Sequence, residues 1–318
     1  MKANWLRRGW LAVAAGAVLA LAGCGSGSIE SQFMPTRVVS FGDGMADLGQ
    51  NGNRYTINDG STNIWTQQVA LGFGYAIGPT SVAGGTSYAR GNARVAEKPD
   101  AAGNSATRTV QEQIGDFLAA NTLTANDLVL VGAGTADVVA EAAKVIAGTQ
   151  TAAQAATNVQ AAGRALGTQV RRLVQAGAQH VAVAGTYNMG KSPWALQTSQ
   201  VALLQDLSSK FNDELLVSIV DLGATVLYVD AALEYNLFVG FPSTYLFGNV
   251  TDPACNSVDP GVGIGTGTGQ VNSNLCTVNT LVSGASNTNY LWADRVYPGG
   301  SAQRYFGDYA YSRIRERW

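Results

Sequence analysis

One stretch of this sequence decides the fold: Val38-Val39-Ser40-Phe41-Gly42-Asp43-Gly44-Met45-Ala46-Asp47-Leu48-Gly49. The apolar pair near its start predicts a buried strand, and the glycines on either side of Asp43 predict a tight turn that opens a helix. Enzymes with a side-chain nucleophile often present it on such a strand-to-helix turn, above the sheet. Here the centre of the turn is Gly44, which has no nucleophilic atom. The stretch therefore predicts the turn of such a site without the nucleophile at its centre.

Three later segments carry related patterns. The first is Gly85-Thr86-Ser87-Tyr88-Ala89-Arg90-Gly91-Asn92-Ala93. The second, Gly134-Thr135-Ala136-Asp137, follows the apolar run 128–131, which predicts another buried strand. The third is Trp292-Ala293-Asp294-Arg295-Val296-Tyr297-Pro298, and a helical segment comes after it. We expect these segments to meet at the carboxyl edge of one sheet.

In order and spacing, the four segments resemble the conserved blocks of the GDSL (SGNH) esterases and lipases. The family forms of these blocks are Phe-Gly-Asp-Ser-Leu-Ser-Asp-x-Gly, Gly-x-Asn-Tyr-Ala-x-Gly-Gly-Ala, Gly-x-Asn-Asp and Asp-x-x-His-Pro. The resemblance runs from about Arg37 to Trp318. It implies an α/β fold of three layers, α/β/α, with a central, mainly parallel sheet. It also implies descent from hydrolases that act on carboxylic esters.

The family's catalytic positions fall on Gly44, Gly91, Ala136, Asp294 and Tyr297. Only Gly91, at the oxyanion glycine, and Asp294, at the triad aspartate, match the family. Glycine replaces the serine, alanine the asparagine and tyrosine the histidine. A phenol with an unperturbed pKa of about 10 is a poor base at neutral pH. Loss of the nucleophile and the base together costs on the order of 10⁶ in rate. The resemblance therefore predicts a protein that does not hydrolyse esters by the Ser-His-Asp route.

Three functional hypotheses follow. The preferred one is a protein with the hydrolase-like fold whose old cleft still binds an acyl, sugar or protein ligand. The second is an active GDSL-type esterase or lipase whose nucleophile has moved to Ser40, Ser87 or Thr135. The third is a structural or assembly role that does not use the cleft. The only histidine, His180, lies far in sequence from Asp294, and its position favours a strand-edge residue over a catalytic base.

The amino terminus predicts export and lipidation. Basic residues precede an apolar stretch, 9–21, that is too short to span a bilayer and matches the core of a signal peptide. It ends in Leu21-Ala22-Gly23-Cys24, which resembles a bacterial lipobox with cleavage before Cys24 and acylation of that residue. An ordinary signal peptide cut near the same place is the alternative. We expect a bacterial envelope lipoprotein whose membrane partner is reached through Cys24, and the residue after it favours the outer membrane.

The remaining cysteines predict a disulfide. Cys255 and Cys276 both lie in a polar, glycine-rich stretch from about Asn249 to Asn289. In an oxidising compartment two remaining cysteines indicate a disulfide that closes a loop of about 20 residues. Related GDSL proteins carry a similar pair ahead of the last block. Metal binding is not expected, because two cysteines without a nearby histidine supply too few ligands.

Apolar periodicity predicts alternating strands and helices in a single domain. The boundaries are 1–23 for the signal peptide, 24–36 for a flexible tether and 37–318 for the domain. Predicted strands are Arg37–Ser40, Leu128–Val131, His180–Ala184 and Ala224–Tyr228. Predicted helices are Asn63–Leu71, Val110–Ala120, Thr135–Ile146, Ala152–Ala176, Gln200–Leu222 and Ala302–Arg315. The acidic residues Asp43, Asp47 and Asp137 are interpreted as scaffold residues that bond loop N–H groups.

Composition limits the partners. A net charge of −2 with 13% charged residues gives no basic field for nucleic acid, and the chain has no phosphate-binding glycine loop with its lysine. No cofactor is expected. Four aromatic residues near the inferred cleft are interpreted either as a ligand-stacking surface or as ordinary packing at its rim, namely Tyr88, Tyr187, Trp292 and Tyr297.

Overall fold

Four parallel strands form the central sheet of the protein, for which the computed structural model describes residues 33–318. The strands lie side by side in chain order and are β1 (Arg37–Gly42), β2 (Asp127–Gly132), β3 (His180–Ala184) and β4 (Val226–Tyr228). Neighbouring apolar residues are in register across the sheet, as Val39 is with Val129 and Val129 with Val181. Nearly all strand residues are buried, as expected for a parallel sheet covered on both faces.

Eight α-helices and a small second sheet complete the described part of the chain. The helices are α1 (Trp65–Gly72), α2 (Val110–Ala120), α3 (Thr135–Ile146), α4 (Ala152–Gln175), α5 (Pro193–Gln197), α6 (Val201–Ile219), α7 (Ala231–Gly240) and α8 (Gly300–Arg317). The second sheet pairs β5 (Asn249–Pro253) with β6 (Tyr290–Trp292) in parallel. Helices α3, α4 and α6 pack together, and α1 packs against α8. The predicted α/β fold with a central parallel sheet is confirmed.

Local sequence explains why the helices begin and end where they do. Thr109 caps α2 through a reciprocal pair of hydrogen bonds with Glu112, and Thr151 caps α4 with Gln154 in the same way. The predicted apolar stripe of α4 is buried along its length: Val159, Ala162, Leu166, Val170 and Leu173. A Cβ at Gly163 would lie 2.3 Å from the carbonyl oxygen of Phe211 in α6. Glycine therefore allows α4 and α6 to approach closely.

The predicted disulfide is confirmed. Cys255 and Cys276 are bonded, with their Cα atoms 5.9 Å apart. Both cysteines are buried in a small apolar cluster with Ile57, Ala254 and Ala293. The bridge closes a loop within the excursion between β5 and β6, and its cysteines pack beside Ala293, the neighbour of Asp294.

The predictions for the amino terminus concern residues that are not described. The predicted signal peptide (1–23), the predicted lipid acceptor Cys24 and most of the predicted tether (24–36) lie outside residues 33–318. Within 33–318, no helix combines the length and the apolar character that crossing a membrane requires.

Candidate functional site at the carboxyl edge of the sheet

The turns after β1 and β2 meet at the carboxyl edge of the sheet, and one carboxylate joins them. The Asp43 carboxylate accepts the Met45 N–H at 2.9 Å, the Gly134 N–H at 3.1 Å and the Ala136 N–H at 3.2 Å. Burial raises the pKa of Asp43 to about 7, although these donors act to lower it. Asp43 therefore holds Gly44 beside Ala136, as the resemblance predicts for the serine and asparagine positions.

Tyr297 fills the space in front of Gly44. A Cβ added at Gly44 would lie 2.6 Å from Tyr297 Cζ and 2.7 Å from Tyr297 Oη, which is closer than real Cβ contacts. Tyr297 is only 1% exposed, and Gly44 is buried. The backbone at Gly44 is not in the left-handed region, so glycine is required there by the neighbouring ring and not by the turn. The histidine and serine positions of the family are thus adjacent and occupied by one aromatic ring.

A second tyrosine covers the oxyanion glycine. A Cβ at Gly91 would lie 2.0–2.2 Å from ring atoms of Tyr55. The Tyr55 and Tyr297 rings are neighbours, with centroids 5.0 Å apart. The Gly91 N–H donates to Asp47 Oδ2 at 2.7 Å, and Asp47 Oδ1 accepts the N–H groups of the adjoining turn. The donor at Gly91 is therefore already bonded within the protein.

Asp294, the matched triad aspartate, is engaged by backbone. Its Oδ1 accepts the Val296 N–H at 2.7 Å and the Tyr297 N–H at 2.6 Å, and its Oδ2 accepts the Ser273 N–H at 2.9 Å. The side chain is fully buried, and burial raises its pKa above the usual value. Asp294 here shapes the turn that carries Tyr297, and no imidazole is present for it to orient.

The candidate bases and relocated nucleophiles do not assemble a second site. His180 begins β3, at the end of the sheet opposite these turns, and its ring stacks on Phe33 at 3.8 Å between centroids. Ser40 Oγ donates to Ser87 Oγ at 2.8 Å, and both side chains are fully buried. Thr135 is likewise buried, with its hydroxyl 3.2 Å from another threonine hydroxyl. None of the three hydroxyls contacts a histidine or carboxylate within the described residues.

The remaining acidic residues have the scaffold role that was predicted. Asp47 bonds three loop N–H groups, and Asp137 accepts the Val95 N–H at 2.9 Å while pairing with Arg94. Burial raises the pKa of Asp137 to about 6, against the effect of the guanidinium. No cluster of three or more potential metal ligands occurs among residues 33–318.

One expectation about the aromatic residues near the inferred cleft needs correction. Trp292 and Tyr187 do not form a rim: both are fully buried and pack on each other with centroids 5.1 Å apart. Tyr297 is buried as described, and Tyr88 packs against Phe41 with centroids 5.4 Å apart. At two of the family's catalytic positions, Tyr297 and Tyr55 occupy the space that a side chain at Gly44 or Gly91 would need. No sequence pattern marks Tyr55, which lies between the recognisable blocks.

The chain matches one known protein family over most of its length. The family model described as GDSL-like lipase/acylhydrolase matches residues 38–309. A solved structure from the lipolytic protein G-D-S-L family of Veillonella parvula is 11% identical, with a TM-score of 0.43 over 86% of this chain and 95% of that one. An extracellular lipase from Streptomyces rimosus is 17% identical, with a TM-score of 0.33 over 64% of this chain and 82% of that one. No curated protein matches the chain.

Proposed function

Because the chain belongs to the GDSL-like lipase/acylhydrolase family, we propose that it is a member that no longer hydrolyses esters by the Ser-His-Asp route. Its ancestors acted on ester bonds, and the fold that positioned their catalytic groups is retained. The residues at the family's catalytic positions have changed. In place of a serine and a histidine, the chain has Gly44 and the buried ring of Tyr297.

The position of Tyr297 is the observation that carries this proposal. Its ring occupies the space that a side chain at position 44 would need, and burial raises its pKa well above the ordinary value of a phenol. A phenol with a raised pKa is ionised to an even smaller fraction at neutral pH than an exposed tyrosine, so almost no phenolate is available to act as a base. The family's serine and histidine positions therefore supply neither a nucleophile nor a base, and Ala136 supplies no side-chain donor for an oxyanion. The loss of this donor alone lowers the rate by a factor of about 10²–10³.

The alternative of an active esterase with relocated groups has less support. An acyl substrate has to reach the nucleophile, and Ser40, Ser87 and Thr135 are each at most 1% exposed. A serine or threonine hydroxyl also needs an adjacent base, and their bonding partners are other hydroxyls.

For its location in the cell, we propose that the protein is anchored by lipid to the bacterial envelope. The basic start, the apolar stretch 9–21 and the lipobox-like sequence ending at Cys24 support acylation of that cysteine. The confirmed bond between Cys255 and Cys276 is in keeping with an oxidising compartment. The residue after Cys24 is glycine, which favours the outer membrane as its address. The chain would then act as a tethered protein with a binding role for the old cleft, or with a structural role.

The test is an activity measurement on the full chain purified in detergent. We expect no turnover of short p-nitrophenyl esters above that of an inert protein, and no labelling by a serine-directed fluorophosphonate. A family member with an intact Phe-Gly-Asp-Ser block, in the same detergent, is the positive control. Stoichiometric labelling of the wild-type protein would show that a nucleophile has been retained elsewhere, and the proposal would then fail.

A further inference from the structure

Four exposed apolar side chains lie at the amino edge of the sheet, where the strands begin. One shortly precedes β1, one lies in the last turn of α1, and two lie where α6 ends. Their exposed fractions are 56–79%, and Val220 is the most exposed large apolar side chain among residues 33–318. We call these four residues the amino-edge surface: Met34, Leu71, Val217 and Val220.

Contacts beneath this surface show that the ends of three helices meet there. The Phe33 ring lies 6.1 Å from the ring of Phe73, just after α1, and 6.4 Å from that of Trp318, just after α8, measured between centroids. Arg317 donates a hydrogen bond to the carbonyl of Gly223, in the turn between α6 and β4. The ends of α1, α6 and α8 are therefore neighbours, and their exposed apolar side chains share one end of the domain. A group of exposed apolar side chains is typical of a surface that meets a partner.

Arginine side chains outnumber acidic ones at the same edge. Within residues 33–318, they lie at the start of β1 and in the last two turns of α4 and α8. The arginines are Arg37, Arg171, Arg172, Arg313, Arg315 and Arg317, and the acidic residues are Asp127, Asp221 and Glu316. Each acidic residue pairs with one arginine, so positive charge remains in excess even with a carboxylate on Trp318. The whole sequence has a net charge of −2, so this excess is local, and it favours an anionic partner.

The proposed lipid anchor joins the domain at this edge. In the sequence, nine peptide links separate Cys24 from Phe33. Nine residues span at most about 32 Å even when the chain is fully extended. A lipid on Cys24 therefore keeps the bilayer surface within about 32 Å of Phe33. The carboxyl edge lies farther from the anchor, because the six residues of β1 separate the two edges by about 20 Å.

We propose that the amino-edge surface docks on the anionic lipid surface of the membrane that holds the anchor, an inference that rests on the proposed acylation of Cys24. The apolar side chains would enter the layer between headgroups and acyl chains. The surrounding arginines would bind lipid phosphates, which attract juxtamembrane basic residues. Docking would fix the orientation of the domain, with the carboxyl edge and the family's catalytic positions facing away from the bilayer.

The test places the fluorophore NBD on the surface of the acylated full chain, reconstituted in vesicles of phosphatidylethanolamine and phosphatidylglycerol. With Cys24 acylated, and with Cys255 and Cys276 bonded to each other, an introduced cysteine is the only free thiol. Val220→Cys places the label within the amino-edge surface, whereas Ala153→Cys places it at an exposed position near the start of α4, about 30 Å from the end of that helix. We expect the emission at 220 to shift to shorter wavelength and to be quenched by lipids with spin-labelled headgroups. The label at 153 should keep the emission of a fluorophore in water.

Two double variants of the labelled Val220→Cys protein test which side chains dock. Met34→Ser with Val217→Ser should lose most of the wavelength shift. The matched control, Val258→Ser with Val278→Ser, alters two exposed valines in the excursion between β5 and β6 and should leave the shift unchanged. Vesicles of phosphatidylcholine alone, which carry no net charge, should give a smaller shift, and an equal shift would contradict the preference for anionic lipid.

The mass of the mature chain and its flotation with vesicles report the anchor separately from the docking. An acylated chain that floats with vesicles while its label at 220 stays in water overturns the docking and leaves the anchor intact. A chain without lipid on Cys24 overturns both. A shift at 220 without quenching by spin-labelled lipid would assign the surface to a second copy of the chain, and the proposal would then fail.

Discussion

Gly44 and Tyr297 form a pair in which each residue depends on the other. A side chain at 44 would place its Cβ 2.6 Å from Cζ of the tyrosine ring, so the ring fits only because position 44 is glycine. Conversely, the family's histidine at 297 would have no serine to activate. The two departures from the family sequence are therefore coupled through one packing contact.

Esterase activity should appear only when all three of the family's missing catalytic residues are restored together. We expect the combined variant Gly44→Ser, Ala136→Asn, Tyr297→His to gain esterase activity above the wild-type background, because positions 44 and 297 are adjacent and Asp294 already lies in the turn beside 297. Each single variant should gain almost nothing, since triad members act as a unit.

Initial rates on p-nitrophenyl acetate and fluorophosphonate labelling measure this gain. The same triple variant with Asp294→Asn serves as the matched control and should lose most of it. A triple variant with native circular dichroism, yet no labelling and no turnover, would show that the surrounding cleft has diverged in shape.

The disulfide should contribute measurably to stability. In the loop-entropy treatment, a bridge between cysteines 21 residues apart stabilises by about 3 kcal/mol. Cys255→Ser combined with Cys276→Ser should lower the free energy of unfolding in urea by about this amount, and wild-type protein treated with reductant should behave alike. Two freely alkylated thiols in denatured, unreduced wild-type protein would show that the bond does not form.

Buried carboxyl groups give the stability a predictable pH dependence. Burial raises the pKa of Asp43 to about 7 and that of Asp137 to about 6, from an ordinary value of 3.8 for an aspartate. Between about pH 4 and pH 7 these groups bind more protons in the folded state than in the unfolded chain, so their contribution to the free energy of unfolding falls as the pH rises. His180, whose pKa is lowered by burial, acts in the opposite direction over part of this range.

Comparison of wild type with Asp43→Asn separates these effects, because His180 is unchanged in the variant. We expect the variant to show a more positive slope of unfolding free energy against pH between 4 and 7, measured by urea titration at each pH. Identical slopes in the two proteins would mean that Asp43 keeps an ordinary pKa.

Membrane attachment should depend on Cys24. We expect the wild-type protein in the membrane and detergent fractions of bacterial cells, with the mass of an acylated mature chain. Cys24→Ser should be released or should keep its leader, whereas Cys276→Ser, which alters a cysteine of the folded domain, should remain attached. A wild-type chain found fully soluble after cleavage would contradict the proposed anchor.

The architecture was predictable because its signals are local. The caps at Thr109 and Thr151 and the apolar periodicity of α4 lie within single segments, and helices α2 and α3 have the predicted bounds. The packing of Tyr297 against Gly44 was not predictable, because it depends on which side chain, distant in sequence, enters the space beside Gly44. Tyr55 covers Gly91 from a segment without a recognisable pattern. The pairing of Arg94 with Glu141 spans 47 residues, a separation that no local sequence pattern reveals.

A double-mutant cycle tests most directly that Tyr297 occupies the nucleophile's space. Gly44→Ala is measured in wild type and in Tyr297→Leu, which removes the ring atoms that the new Cβ would meet. We expect Gly44→Ala to cost about 1–3 kcal/mol of unfolding free energy in wild type and markedly less with leucine at 297. Gly223→Ala, at a position with open space around its Cβ, should cost the same in both backgrounds. An equal cost of Gly44→Ala in the two backgrounds would contradict the account.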